Sequence, residues 1–135
     1  EIKLIMDEIN SPILSIPGIN YRMGAMIIAE IGDFNRFDSP DKILLMPDYL
    51  LLHTSQDNLM APYSHMEKRG SRYLRYALYN AAKYVCHWDP TFAEYLAKKR
   101  AEGKHYNVAI SHAVKKLVRV IYHLEKTNQQ YIKAA

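Results

Sequence analysis

Several residue types are scarce in this chain, and each scarcity narrows what the protein can be. Its one cysteine, Cys86, excludes an internal disulfide and a cysteine-rich metal site. The sequence contains no run of about 18 apolar residues that would span a membrane, and no signal peptide is visible. We therefore expect a cytoplasmic protein with no membrane partner.

Recognisable metal-binding patterns are lacking too. The six histidines are scattered along the chain, and none stands in an HExxH motif or another strong ligand spacing. His105 and His112 are seven residues apart and could share a helix face, but no third ligand accompanies them. We predict no metal site and no cofactor in this chain.

Apolar residues make up 49% of the 135 residues, which is enough for a hydrophobic core of one domain or of part of a larger protein. The sequence begins at Glu1 rather than at a methionine, and residues 1–10 place isoleucine and methionine side chains at helical spacing. We interpret residues 1–10 as the end of a linker helix from an N-terminal domain that is missing here.

The periodicity of the apolar residues predicts an all-α fold, with a helix-hairpin-helix-like start followed by a small helical bundle. The predicted helices cover residues 1–10, 21–31, 40–45, 72–87, 90–102 and 105–125, followed by a polar tail at 127–135 that frays. Gly32 is the expected C-cap of the second helix, and Ser39 and Ser71 are expected N-caps. The second helix should be buried, and Val108 should belong to the core stripe of the last one.

Residues 16–19, Ile-Pro-Gly-Ile, hold the motif on which the functional interpretation depends. Pro17 fixes its own φ, and Gly18 can adopt a positive φ. A Pro-Gly turn flanked by isoleucines is typical of a helix-hairpin-helix, whose turn presents backbone N–H groups to a phosphate. Such a contact reads the nucleic-acid backbone rather than its sequence. The turn alone fits a plain helical hairpin without a ligand equally well.

Four basic residues fall within eight positions at the start of the helix predicted at 72–87. On a helix, Arg72 and Arg75 share a face. The interleaved Tyr73 and Tyr76 could stack on or hydrogen-bond to a sugar-phosphate backbone. Positive charge beside a helix N-terminus opposes the helix dipole, which favours a bound anion there. The alternative is a solvated basic face. The predicted DNA-binding residues are Pro17, Gly18, Ile19, Lys68, Arg69, Arg72 and Arg75.

Taken together, these motifs carry a resemblance that covers roughly residues 8–125. In order, they are S-I-P-G-I, A-E-I-G-D-F-x-R-F, K-R-G-S-R-Y-L-R-Y-A-L, D-P-x-x-x-x-Y-x-x-K with a later G-K, and A-V-K-K-L-V-R-V-I-Y. Residues 11–126 resemble the C-terminal transposase domain of the DEDD-type insertion-sequence transposases, a family described as RNA-guided recombinases. The resemblance implies a helical domain that binds DNA and a structured guide RNA and forms a homo-oligomer when intact. It also implies an N-terminal RuvC-like domain that holds Mg²⁺.

The family's C-terminal domain also carries a serine nucleophile, in a stretch resembling A-Y-A-G-L-x-P-x-x-x-Q-S-G-x-F. Residues 46–59 contain neither A-G-L nor S-G, and the nearest serine, Ser55, is the candidate catalytic residue. Back-translation allows both missing motifs to be read in one shifted frame. We therefore hypothesise that residues 46–61 are an out-of-frame segment between two compensating insertions or deletions.

From this chain on its own we expect DNA binding in transposition and recombination, and we do not expect catalysis. One alternative is a non-catalytic helix-hairpin-helix DNA-binding module. Another is a helical interaction domain whose basic faces are only solvated. A steep salt dependence of nucleic-acid binding would exclude this last alternative.

Overall fold

The computed structural model describes residues 2–9, 11–43 and 61–132, with side chains described from Tyr73 onward in the helix that begins at Ala61. No strand occurs in these ranges, so the predicted all-α fold is confirmed. The helices are α1 (Ile2–Ile9), α2 (Tyr21–Ile31), α3 (Ala61–Trp88), α4 (Pro90–Ala101) and α5 (Tyr106–Thr127), with 3-10 turns at Pro12–Ser15 and Phe34–Arg36. Residues 40–43 are also helical.

Helix α3 is the centre of the bundle, because it contacts α2, α4 and α5. Three of its core positions are alanines, and small side chains at a helix contact let the neighbouring axes approach closely. The predicted core stripe of α3 is buried throughout: Leu74, Ala77, Leu78, Ala81, Ala82 and Val85. The apolar periodicity therefore identified the face of α3 on which the bundle is built.

Helix α3 begins about ten residues earlier than the sequence indicated. The prediction that Ser71 caps a helix from residue 72 is wrong, because α3 already runs from Ala61 and includes Gly70 and Ser71. A glycine in a helix interior costs about 1 kcal/mol, which lowers stability without ending the helix. Lys68 and Arg69 are thus inside α3. The dipole argument for an anion at these residues no longer holds, because the dipole acts within the first turn.

Helix α5 packs against α3 and α4 through the apolar face that its helical period predicted. Its buried residues are Ala109, Ile110, Ala113, Leu117, Val118, Ile121 and Leu124. Val108 was predicted to belong to this stripe, but 47% of its surface is exposed. It lies about 100° around the helix from the buried Ala109.

The N-terminal helices are less buried than predicted. In α1, Met6 is the buried residue, while Ile5 and Ile9 are more than half exposed. In α2, which was expected to be apolar and covered on most sides, the buried positions are Gly24, Ile27 and Ile31. Both helices therefore lie at the edge of the bundle and contribute one face each to the core.

Two predicted helix ends are confirmed by their hydrogen bonds. Gly32 ends α2 with a φ of 76°, and its N–H donates to the carbonyl of Ile28 at 2.8 Å. Asp89 caps α4, because its carboxylate accepts the N–H of Phe92 at 3.1 Å, and Pro90 occupies the first helical position. These caps satisfy backbone groups that the helix itself leaves without partners.

The described part of the tail is held against the bundle, contrary to the predicted fraying. The N–H of Tyr131 donates to Ser15 Oγ at 2.7 Å, and its hydroxyl donates to Asp89 Oδ2 at 2.9 Å. Burial and this hydrogen bond raise the pKa of Tyr131 to about 12. Asn128, in the left-handed conformation, reverses the chain after α5. Tyr131 therefore joins the tail to the Pro12–Ser15 turn and to the α3–α4 junction.

Candidate nucleic-acid interface

The turn at residues 16–19 is packed directly onto α3. Ile16 and Ile19 are buried on either side of it, and the N–H of Ile19 donates to the carbonyl of Ile16 at 3.2 Å. Gly18 has a φ of 98°, as its position predicted. A Cβ at Gly18 would lie 2.7 Å from the carbonyl carbon and oxygen of Tyr84 and 2.8 Å from the backbone nitrogen of Val85.

This contact supplies a packing reason for the glycine. Gly18 lies so close to the backbone of α3 that a residue with a side chain would not fit there. This holds whether or not the turn also binds a phosphate. The first arm of the hairpin is the 3-10 turn Pro12–Ser15, which joins through Pro17 and Gly18 to α2. DNA contact by Pro17, Gly18 and Ile19 stays a prediction.

The described part of α3 presents basic and aromatic side chains to solvent. Arg75, Tyr73 and Tyr76 are exposed, as the sequence indicated. The side chains of Lys68, Arg69 and Arg72 lie outside the described ones, although their backbone belongs to α3.

Arg75 belongs to α3, and the turn packs onto the same helix at a different position. Because α3 rises 1.5 Å per residue, Arg75 lies about 14 Å along the helix from Tyr84, where Gly18 makes its contact. The fold therefore brings the turn near the C-terminal end of α3, whereas Arg75 lies at the middle of the helix. A ligand that touches both must be extended, as a nucleic-acid backbone is.

A second concentration of positive charge lies where α4 approaches α5. Lys99 and Lys104 both pair with Glu102, at 3.6 and 3.5 Å. Burial, and then the charges of Lys99, Lys104 and the nearby Lys115, lower the pKa of His112. A histidine that resists protonation because of its neighbours marks a region of positive potential.

An open cleft of about 480 Å³ lies along α5 beside the tail. Lys116, Arg119 and His123 line it from one face of α5, and Gln129 and Tyr131 line it from the tail. The Lys116 ammonium also lies 5.1 Å from the ring centre of Tyr95. Arg119 forms an exposed ion pair of 3.8 Å with Asp41, which contributes little at such exposure. The cleft offers three basic side chains to an anion.

This cleft was not predicted from the sequence, in which Lys116, Arg119 and His123 were assigned no role. The spacing of Lys116, Arg119 and His123 at i, i+3 and i+7 was a usable signal, because these positions share a helix face. The tail that forms the other wall was predicted to fray. The cleft therefore depends on the contact of Tyr131 with Ser15 and Asp89, which no local pattern indicates.

Three further kinds of candidate were considered: a reactive cysteine, a metal site and the serine nucleophile. Cys86 is buried, and burial together with the charge of Asp89 raises the pKa of its thiol to about 11, as fits an unreactive core residue. Among the described residues no three potential ligands lie close enough to hold a metal ion. The candidate nucleophile Ser55, like the rest of 44–60, lies outside the described residues. No described helix is both long and apolar enough to cross a membrane.

A comparison with protein families gives one match. The model of the Transposase IS116/IS110/IS902 family matches residues 10–46, roughly a quarter of the chain. This segment contains the Pro12–Ser15 turn, the Pro17-Gly18 turn and α2. Neither the curated proteins nor the solved structures gave a match. The match supports a relationship of this chain to the IS116/IS110/IS902 transposase family.

Proposed function

We propose that this chain is the DNA-binding C-terminal helical domain of an insertion-sequence transposase of the DEDD, RNA-guided type. The family match over residues 10–46 carries the proposal, because that segment contains the turn and α2. A transposase acts on DNA, so the surfaces around this segment are the first candidates for DNA contact. Guide RNA, homo-oligomerisation and a cytoplasmic location belong to the same proposal and derive from the resemblance.

The charge of the helix that receives the turn supports nucleic-acid binding. From Tyr73 to Trp88, α3 contains Arg75 and Lys83 and has no aspartate or glutamate. Phosphate contacts by such basic side chains supply most of the sequence-independent affinity for DNA. Through its turn, the helix-hairpin-helix-like start would add backbone N–H donors at the N-terminus of α2.

Catalysis is assigned to other parts of the intact transposase. The resemblance assigns Mg²⁺ to the proposed N-terminal domain. The serine nucleophile would come from the segment that includes Ser55 if its reading frame were intact. We therefore propose that this chain binds DNA and does not exchange strands without its partner domain.

The out-of-frame hypothesis for residues 46–61 is tested by the nucleotide sequence of the gene. We expect the codons of 46–49 to give Ala-Gly-Leu, and those of 54–59 to give Gln-Ser-Gly, in the same shifted frame. Restoring that frame should produce a covalent protein–DNA adduct when the N-terminal domain is supplied. Codons that yield neither motif in the shifted frame would contradict the hypothesis and leave Ser55 as the candidate.

DNA binding is tested by neutralising Arg75, whose side chain is exposed on α3. We expect Arg75→Gln to weaken binding to labelled duplexes of unrelated sequence equally, and to reduce the slope of log affinity against log salt by about 1. Lys98→Gln is the matched control, because it removes one exposed positive charge on α4, outside the segment that the family model matches. Equal losses in the two variants would mean that net charge, and not this surface, determines binding.

A further inference from the structure

Helix α3 carries four exposed aromatic side chains on one side of the helix, next to its core face. The exposed fractions are 50% for Tyr73, 61% for Tyr76, 51% for Tyr84 and 59% for Trp88. We call these four residues the aromatic stripe. Large rings at such exposure are unusual on a helix whose other face is fully packed, and a set of them on one side marks a contact surface.

The stripe follows one side of the helix, with the fully buried Ala77 between its first and second pairs of rings. At 3.6 residues per turn, its four members fall within a sector of about 120°, and at 1.5 Å per residue they extend over about 22 Å. The sector next to them holds the buried side chains of the core, such as Leu78 and Val85. The rings thus form a row along the outside of the bundle.

The charges in and beside the stripe have one sign. His87 lies within the same sector and Lys83 lies about 20° outside it. Both are exposed, and no acidic residue occurs between Tyr73 and Trp88. The next carboxylate along the chain, Asp89, is fully buried. A row of rings with interspersed cations suits a ligand that offers flat apolar faces and negative charge together.

We propose that the aromatic stripe binds single-stranded nucleic acid by base stacking. Unpaired bases would stack on the four rings, and Lys83 and His87 would contact the phosphates between them. A duplex does not fit the same role, because its bases already stack on one another and their faces are covered. The proposal rests on the proposed function for the class of ligand and adds which form of nucleic acid this face of α3 takes.

Trp88 provides a direct probe, because it is the only tryptophan in the chain. Its ring is perpendicular to that of His87, at a centroid distance of 4.9 Å, and more than half of it is exposed. Tryptophan fluorescence therefore reports on one end of the stripe. A base that stacks on the indole will quench it.

The test is a titration of the full chain, at fixed pH and salt, with oligo(dT), oligo(U) and a duplex of equal length. We expect both single strands to quench Trp88 and the duplex to leave it unquenched. Tyr76→Ala should weaken oligo(dT) binding about 5- to 100-fold, which is the loss expected for one stacking partner. The matched control is Tyr106→Ala on α5, where 43% of the tyrosine is exposed, and it should bind as the unchanged chain does.

The outcomes separate this inference from the proposed function. Binding of the duplex without quenching by either single strand would overturn the stripe and leave DNA binding intact. Equal affinity of Tyr76→Ala and Tyr106→Ala would likewise overturn it. If no nucleic acid binds, both proposals fail. A change in Trp88 fluorescence with protein concentration alone would assign the stripe to a second copy of the chain and overturn nucleic-acid stacking.

Discussion

Gly18→Ala should lower the free energy of unfolding by about 3 kcal/mol or more, the largest effect we expect from a single added methyl group. A positive φ costs a residue with a Cβ about 1–2 kcal/mol. Overpacking adds about 1–3 kcal/mol, because the new Cβ would lie 2.7 Å from the Tyr84 carbonyl. That neighbour is helix backbone, which cannot rotate away as a side chain would.

Gly103→Ala separates these two costs. Gly103 has a similar φ of 90°, but a Cβ there would meet nothing within 4 Å. We expect it to lose about 1 kcal/mol, from the backbone conformation alone. Urea unfolding followed by circular dichroism measures both variants. Equal losses at Gly18 and Gly103 would show that the turn is not pressed against α3.

Asp89→Ala should cost about 2–4 kcal/mol, because three parts of the fold meet at this carboxylate. Asp89 is fully buried, caps α4 through the Phe92 N–H and accepts the hydroxyl of Tyr131. Loss of an N-cap costs about 0.5–2 kcal/mol. The hydrogen bond from the Tyr131 hydroxyl to this charged group is worth about 1.5–3 kcal/mol. Part of this loss is offset because water can bond to the half-buried Tyr131.

Asp89→Asn should cost less than Asp89→Ala, because the amide oxygen can still accept from Phe92 and Tyr131. Asp89 Oδ1 has no hydrogen-bond partner within the described part of the chain, so removing the charge also removes a desolvation penalty. Both variants should lower the pKa of Cys86 and speed its reaction with thiol reagents. A loss below about 1 kcal/mol in Asp89→Ala would contradict the anchoring role.

The Cys86 and Tyr131 pKa values also predict how stability changes with pH. Both groups ionise at a higher pH in the folded chain, near 11 and 12, than in the unfolded chain, where their usual values are 9.0 and 10.0. Their contribution is therefore fully present below pH 9.0 and is lost as the pH rises through the folded-state values. Tyr131→Phe should flatten the upper part of this decline.

Much of the fold was predictable because its signals are local. The buried stripe of α3, the Gly32 C-cap and the Asp89-Pro90 start of α4 each depend on residues within a few positions of one another. The apolar period and the capping chemistry are sufficient at such sites. Gly18 belongs to this group for its positive φ. Its packing reason was not predictable, because the contacting residues Tyr84 and Val85 come more than 60 residues later.

The failed predictions concern features that tertiary contacts decide. Gly70-Ser71 has the composition of a helix boundary, yet α3 continues through it. Val108 fits an apolar period but is nearly half exposed. The tail lacks a helical pattern and is nevertheless fixed by Tyr131. In each case the outcome depends on contacts between distant parts of the chain, which propensity and period do not reveal.

The candidate interface shows the same division. Exposed Arg75, Tyr73 and Tyr76 were recognised from basic residues interleaved with tyrosines. The cleft beside α5 was not, because its walls come from a helix and a tail that local patterns do not join. Tyr84 and Trp88 were not assigned a role either, although the predicted helix at 72–87 already placed Tyr84 on the same side as Tyr73.

The salt dependence of binding to duplex DNA tests the central claim most directly. If the chain is a DNA-binding transposase domain, log affinity should fall linearly with log salt, with a slope of about −3 for three to four phosphate contacts. The slope should not vary with the duplex sequence, because the contacts are to the backbone. No binding at low salt, or an affinity that salt leaves unchanged, would contradict the account.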